Sequence, residues 1–335
     1  MRAPPLPWSL ELKPVAKGLA TMVPGLHRLL AGSGGGSTDS ADYCYGVWLK
    51  HMTLLWHGGT RDMPSSVAEL GPGESLGVGL AALLSGVSRF YGLDAVAYGS
   101  TEKNLRMLDQ MVERFARRAP RPTKGWPDFD AYLDSNLFPS HILTDEVLER
   151  TLAPRRIAAI RDAIAHPEKD GALVVKYIVP WTAENALASS SVDLIYSHSV
   201  LEHVVDVPVT LRCCFAWLRP GGRMSHQIDF TSHGMTKAWN GHWQYPEWLW
   251  RIIVGARPYL INRLPASAQA RMLEAAGFRI ELDLRARKAN QVRTNFGRDM
   301  AQDDLTCSSM FVQALKPAAQ GARPVQGRSA CGPTW

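Results

Sequence analysis

A chain of 335 residues that is 46% hydrophobic and 20% charged is long enough to bury a large core and too apolar to be disordered throughout. Its formal charge of +6 comes from scattered arginines, with no basic block interleaved with aromatics, so a nucleic-acid groove is not expected. Five cysteines, an odd number without metal-ligand spacing, read most simply as buried thiols in a reducing compartment.

Pro4, Pro5 and Pro7 open the chain without a signal-type apolar run, and nowhere do about eighteen apolar residues follow one another. A soluble, cytoplasmic protein is expected. Over residues 9–30, Leu10, Leu12, Val15, Leu19, Met22, Val23 and Leu26 recur at helical spacing with Lys13 and Lys17 among them. Two readings are open: an amphipathic helix docked on the domain, or a peripheral contact with a membrane surface. Gly32 to Ser37 reads as a flexible linker. Tyr43 to Trp56 reads as a second helix, with Tyr45, Trp48 and His51 expected near a pocket.

Val67-Ala68-Glu69-Leu70 is a short apolar run with one acid, broken by Gly71-Pro72-Gly73 and followed by the helix-like stretch Leu76 to Leu84. It predicts a strand, a tight turn and a helix whose first N–H groups are free for an anion. Taken alone, this is equally a glycine-rich turn that binds nothing. Val87 to Leu93 predicts a second strand ending in Asp94, about twenty residues on, where Rossmann-type folds place an acid for ribose hydroxyls.

Between Asp94 and the third strand, Leu173 to Val179, lie about seventy residues where a crossover of a dozen would suffice. Helices are expected at Leu105 to Arg118, Asp128 to Leu137 and Thr144 to Ala165, the last interrupted at Pro154. Such an insertion is either a lid or substrate platform, or a structural cap. Val192 to Ser197 predicts a fourth strand ending at His198. Val207 to Leu218 predicts a helix, Arg219-Pro220-Gly221-Gly222 a tight turn, and Arg223 to Ile228 a fifth strand. The strands are apolar enough to be covered on both faces, as in a parallel sheet.

Glu69-Leu70-Gly71-Pro72-Gly73, Asp94, Ala183-Glu184, the run Asp193 to Val204 with Leu201-Glu202-His203, and Leu218-Arg219-Pro220-Gly221-Gly222 occur in one order. In that order the chain resembles class I S-adenosylmethionine-dependent methyltransferases over about residues 65 to 315. The resemblance implies an α/β, Rossmann-like, mostly parallel seven-stranded sheet with helices on both faces. It also implies a domain over 61–316 with a helical insertion at about 100–170, after an N-terminal helical extension over 1–60. It further implies S-adenosylmethionine as cofactor, held by Glu69, Gly71, Gly73 and Asp94, with Ala183 and Glu184 bordering the adenine and Ser197 at the cofactor edge. Glu184 is equally an exposed turn acid. Ser75 departs from the pattern, standing where the family often has a third glycine.

Methyl transfer needs a nucleophile placed behind the methyl group, and a base only when the acceptor must lose a proton. The ends of the fourth and fifth strands are therefore the acceptor side. His203 is one candidate base, with His198 and Glu202 nearby in sequence. His226 and Asp229 are further catalytic candidates, on opposite faces of the fifth strand. His226, Asp229 and His233 would also suit a divalent metal. Their spacing matches no metal signature, so hydrogen bonding to substrate is expected and no metal.

Trp239, His242, Trp243, Tyr245, Trp248 and Trp250 crowd into twelve residues, suiting either a flat ligand or area burial. Arg251, Arg257 and Arg263 offer an anion site. Ser267 to Gly277 predicts a helix, Phe278 to Leu284 and Leu305 to Leu315 the last two strands, and residues 317–335 a disordered tail. The expected function is methyl transfer to a small-molecule or glycan-linked acceptor, through a hydroxyl. The rivals are a silent binding protein on the same fold and a nicotinamide-dependent oxidoreductase.

Overall fold

The computed structural model describes residues 11–23, 37–182, 186–257, 259–292 and 300–318. Ala183, Glu184, most of the expected linker and the tail from residue 319 onward lie outside them. Seven strands form one sheet: β1 Ser66–Leu70, β2 Arg89–Leu93, β3 Val174–Ile178, β4 Val192–His198, β5 Leu218–Asp229, β6 Arg279–Arg287 and β7 Cys307–Leu315. Their spatial order is β3-β2-β1-β4-β5-β7-β6. The first five run parallel, and β7 pairs antiparallel with both β5 and β6.

The two-residue repeat of the strands decides which layer each side chain enters. Val67, Leu194 and Tyr196 face one core, and Ala68 and Ile195 face the other. The first core is closed by α2 Ala41–His57, α3 Gly77–Leu84, α4 Thr101–Ala116, α5 Asp145–Thr151 and α6 Pro154–Ala165. The second is closed by α7 Val207–Trp217 and α9 Ala266–Ala275. The remaining helices are α1 Leu12–Thr21, α8 Glu247–Val254 and the short α10 Gln302–Thr306.

α1 docks on α8 through Gly18, where a Cβ would lie 2.0 Å from the Ile252 carbonyl oxygen, so only glycine permits that approach. Its Leu12 and Leu19 remain exposed. α2 belongs to the core itself. Trp48 is fully buried and donates Nε1–H to Ser85 Oγ at 2.8 Å, and the buried His51 lies 2.7 Å from Ser225 Oγ. Tyr45, Trp48 and His51 therefore serve packing rather than a pocket.

No helix forms over 128–137. Asp128 and Tyr132 sit at φ 36° and 78°, outside the helical region. The buried Arg121 takes the Phe129 carbonyl at 3.0 Å, and Ser308 and Ser309 hold the Asp128 carboxylate at 2.8 and 3.0 Å. These tertiary bonds outweigh the helical spacing. The arginine and aromatic expectations after β5 also change. Trp243, Tyr245 and Trp250 are buried, Arg263 donates to the Tyr245 carbonyl beneath Trp250, Arg257 caps α8, and Arg251 pairs with Glu247. The three arginines thus brace this segment instead of gathering around an anion.

Candidate active site

β1 has a parallel partner on each side: the chain runs outward from β1 through β2 to β3 and then crosses back to β4 on the other side. A crevice opens at such a switch point, beyond the carboxyl ends of the strands. Here it has a volume of about 530 Å³ and is lined by Gly71, Gly73 and Asp94 on the β1/β2 side and by Ser199, Val200 and His203 on the β4 side. Val96, Tyr98, Trp181, Val205 and Tyr259 complete its walls and rim.

The glycine turn is set by contact. Gly71 stands at φ 63°, its N–H donates to the Leu93 carbonyl at 2.8 Å, and a Cβ there would lie 2.7 Å from Val200 Cγ2. Gly73, at φ 73°, donates its N–H to Asp94 Oδ2 at 3.1 Å, and Ala95 donates to Oδ1 at 2.7 Å. Asp94 is thereby fixed at the crevice wall. Burial raises its carboxyl above the usual range, against the pull of these N–H groups.

The helix start does not offer the free N–H groups that the sequence suggests. Glu74 donates to Thr38 Oγ1 at 2.8 Å, Leu76 to Asn104 Oδ1 at 2.9 Å and Gly77 to Ser75 Oγ at 3.1 Å. Thr38 and Asn104 come from the segment before α2 and from α4, so the N-terminal extension and the insertion cap this helix. Ser75 also donates to the Thr38 carbonyl. Its hydroxyl is absorbed by the extension, and the close approach falls four residues later, inside the helix, where a Cβ on Gly79 would lie 2.2 Å from the Phe90 ring.

Glu69 does not line the crevice. It lies buried beneath the turn, accepts a hydrogen bond from Tyr196 Oη at 3.2 Å, and is pushed up to about 8 by burial. Ser197 and His226 are also held away from the crevice. Both are fully buried within the sheet, 2.7 Å apart through Oγ and Nδ1, and burial drives the imidazole down to about 3.

The acceptor side gathers a different set. Leu201–His203 is a single 3-10 turn after β4. Asn262 secures it: its N–H donates to the Glu202 carbonyl at 2.7 Å, and its side chain donates to the Leu201 and Val204 carbonyls at 2.7 and 2.9 Å. His203 Nδ1 lies 2.9 Å from the Tyr259 carbonyl oxygen. A carbonyl only accepts, so Nδ1 carries the hydrogen and Nε2 the lone pair. Burial, reinforced by His233, drives this imidazole down to about 4.

His233 packs edge-on against His203 at a ring-centroid distance of 4.9 Å, and its Nε2 lies 2.8 Å from Asp229 Oδ2. Asp229 is buried and also accepts from the Thr231 N–H and hydroxyl at 2.8 and 3.1 Å. Glu202 is 3% exposed, and neither carboxyl oxygen meets hydrogen-bond geometry; the nearest donors are the N–H groups of Glu202 itself and of Asp229. Burial first, then Asp229, raises its carboxyl well above the usual range.

His203 and Asp229 are thus brought together, along with Glu202 and His233. Tyr98, Trp181, Asn262 and Tyr259 were not singled out from the sequence. Trp181 directly follows β3, and that position is a usable signal. Tyr259 and Asn262 carry none.

A family model for a methyltransferase domain matches residues 58–282, more than half of the chain. The chain belongs to this methyltransferase family. It is an S-adenosylmethionine-dependent enzyme, which sets aside the silent-protein and oxidoreductase readings. Over 110 residues it is 36% identical to the ubiquinone biosynthesis O-methyltransferase of Methylocella silvestris, covering 32% of this chain and 41% of that protein. A Methanosarcina mazei S-adenosylmethionine-dependent methyltransferase structure aligns at TM-score 0.42 and 11% identity, over 79% of this chain and 97% of that one. Haemonchus contortus phosphoethanolamine N-methyltransferase 2, with S-adenosyl-L-methionine, aligns at TM-score 0.40 and 15% identity, over 81% and 53%.

The crevice fits such a cofactor. Its volume lies in the range of small-molecule sites, and it joins apolar walls to one fixed carboxylate with lone pairs to spare. Among the described residues, no helix is long and apolar enough to cross a membrane.

Proposed function

We propose that the acceptor is a hydroxyl of a small molecule, free or glycan-linked, received on the β4/β5 side of the crevice. The observation that carries this reading is the cluster of His203, Glu202, Asp229 and His233 abutting a crevice whose opposite wall is Asp94 and the glycine turn. When bound, the cofactor supplies an electrophilic methyl group on a sulfonium. Asp94 accepts the ribose hydroxyls, the backbone of Gly71 and Gly73 lies against the cofactor, and Glu69 supports the turn from below. Ala183 and Glu184 remain candidates for the adenine side. His203, with Nδ1–H pinned to the Tyr259 carbonyl, keeps its Nε2 lone pair for the acceptor side of the crevice. Asp229 positions His233, and the paired Ser197 and His226 stiffen the strands behind.

The relative named for O-methylation supports an oxygen acceptor. Trp243, Tyr245 and Trp250 are buried while Trp248 is exposed, so most of that aromatic cluster is withdrawn from an acceptor, which favours a small molecule over a polymer. The buried thiols Cys44, Cys214 and Cys307 suit the cytoplasm.

The test is incubation of the purified protein with methyl-labelled S-adenosylmethionine and fractionated small-molecule extract. The expected label sits in a low-molecular-weight product and survives alkali, as a methyl ether does. Label recovered in protein, nucleic acid or an alkali-labile ester would overturn the reading.

A further inference from the structure

Glu202, His203 and His233 each offer a ligand-type atom, and those atoms lie within 4.8 Å of one another. Around a tetrahedral zinc with bonds near 2.1 Å, ligand atoms stand about 3.4 Å apart, so an inward movement of roughly an ångström closes the set. Four features make this a site rather than a coincidence. The Glu202 carboxyl is nearly all buried and lacks a well-formed hydrogen bond, which a buried polar group does not ordinarily tolerate. A second carboxylate, Asp229, is buried beside it and 2.8 Å from His233 Nε2. Among the described residues, no lysine or arginine pairs with either acid. Finally, His203 has Nδ1 tied to the Tyr259 carbonyl, leaving Nε2 as a donor atom. A tie from the far ring nitrogen to a backbone carbonyl is how proteins orient metal-binding imidazoles.

We propose that Glu202, His203 and His233 bind one divalent first-row cation of the zinc class beside the crevice, where it takes up the hydroxyl oxygen of the acceptor. Two imidazoles and a carboxylate suit zinc, manganese or cobalt and leave coordination positions open for that oxygen. Binding lowers the hydroxyl's hold on its proton, which passes to solvent water. The resulting oxygen forms its bond to the methyl carbon as the carbon–sulfur bond breaks, and the bonding pair stays on sulfur. Charge is conserved, and no oxidant or reductant enters. The ligands escape any sequence spacing because they come from the turn after β4 and the loop after β5.

This inference rests on the hydroxyl-acceptor reading, and its test is independent of turnover. Chelator-treated full-length protein is titrated with Co²⁺, followed by visible d–d absorption, and with Zn²⁺, followed by elemental analysis. The expected result is one equivalent per chain with a saturable visible band. Glu202→Gln and His233→Asn should each weaken binding at least about 10-fold, and Asp229→Asn about 10- to 100-fold as an outer partner. Binding of S-adenosylhomocysteine, measured by calorimetry, should stay within about threefold in all of them.

No saturable equivalent in the wild type would overturn the metal site while leaving the methyltransferase reading intact. So would unchanged binding in Glu202→Gln and His233→Asn, which would assign the metal to other histidines among the ten in the chain. His233 is 24% exposed and tolerates replacement, so His233→Asn decides the matter if Glu202→Gln does not fold.

Discussion

The two halves of the crevice are built by different means. On the β1/β2 side the fixed carboxylate of Asp94 is reached by its neighbour Ala95 and by Gly73, 21 residues away on the adjacent parallel strand's turn. Its partners are backbone N–H groups. On the β4/β5 side, Glu202, His203, Asp229 and His233 come from two separate segments, and a third, through Asn262 and the Tyr259 carbonyl, holds them in register. The first half is satisfied within itself, and the second keeps an under-bonded buried acid and an imidazole lone pair at the crevice. Under the proposed function, recognition of an unvarying cofactor falls to backbone that adjacent strands place automatically. Acceptor chemistry falls to side chains that only packing brings together.

The strongest way to break this contrast is at Glu69, beneath the cofactor half. Its carboxyl is held up to about 8 against an ordinary 4.5, so between those values it is protonated in the folded protein and ionised in the unfolded chain. The stability it lends is complete below about pH 4.5 and is lost as pH rises through about 8, up to about 5 kcal/mol in total. Glu69→Gln removes that dependence. Urea denaturation near pH 5, 7 and 9 should show the wild type losing stability relative to the variant, and parallel curves would mean an ionised Glu69 in the fold.

Next in size, Asp94→Ala should weaken S-adenosylhomocysteine binding by about 1.5 to 3 kcal/mol, the worth of a hydrogen bond to a charged group. Calorimetry reads this directly. Unchanged affinity would place the ribose elsewhere and dissolve the distinction between the halves. The smallest effect belongs to the rim. Tyr259 holds His203 through its backbone carbonyl while its ring is 49% exposed, so Tyr259→Ala should change the acceptor KM by only about twofold. A tenfold rise would make the ring an acceptor anchor and sharpen the acceptor half.

The strands, the glycine turn and Asp94 were legible because each depends on local causes: short continuous apolar runs, absence of a Cβ, and an acid ending a strand. The interruption at Pro154 and the last two strands were legible for the same reason, while their antiparallel pairing is seen in the sheet itself. The stretch 128–137 was not, since Arg121, Ser308 and Ser309 hold it from a distance. Nor was the fate of the helix N–H groups, which Thr38 and Asn104 occupy.

By itself, the sequence determined the strands, the glycine turn after the first and the acid closing the second, because apolar runs and glycine conformation act within a few residues. Tertiary structure alone decided that His226 turns inward to Ser197 while His203 and His233 meet over Glu202 and Asp229. Strand alternation says only which face a side chain takes. Whether that face meets a helix, a neighbouring strand or the open crevice depends on what the rest of the chain packs against it.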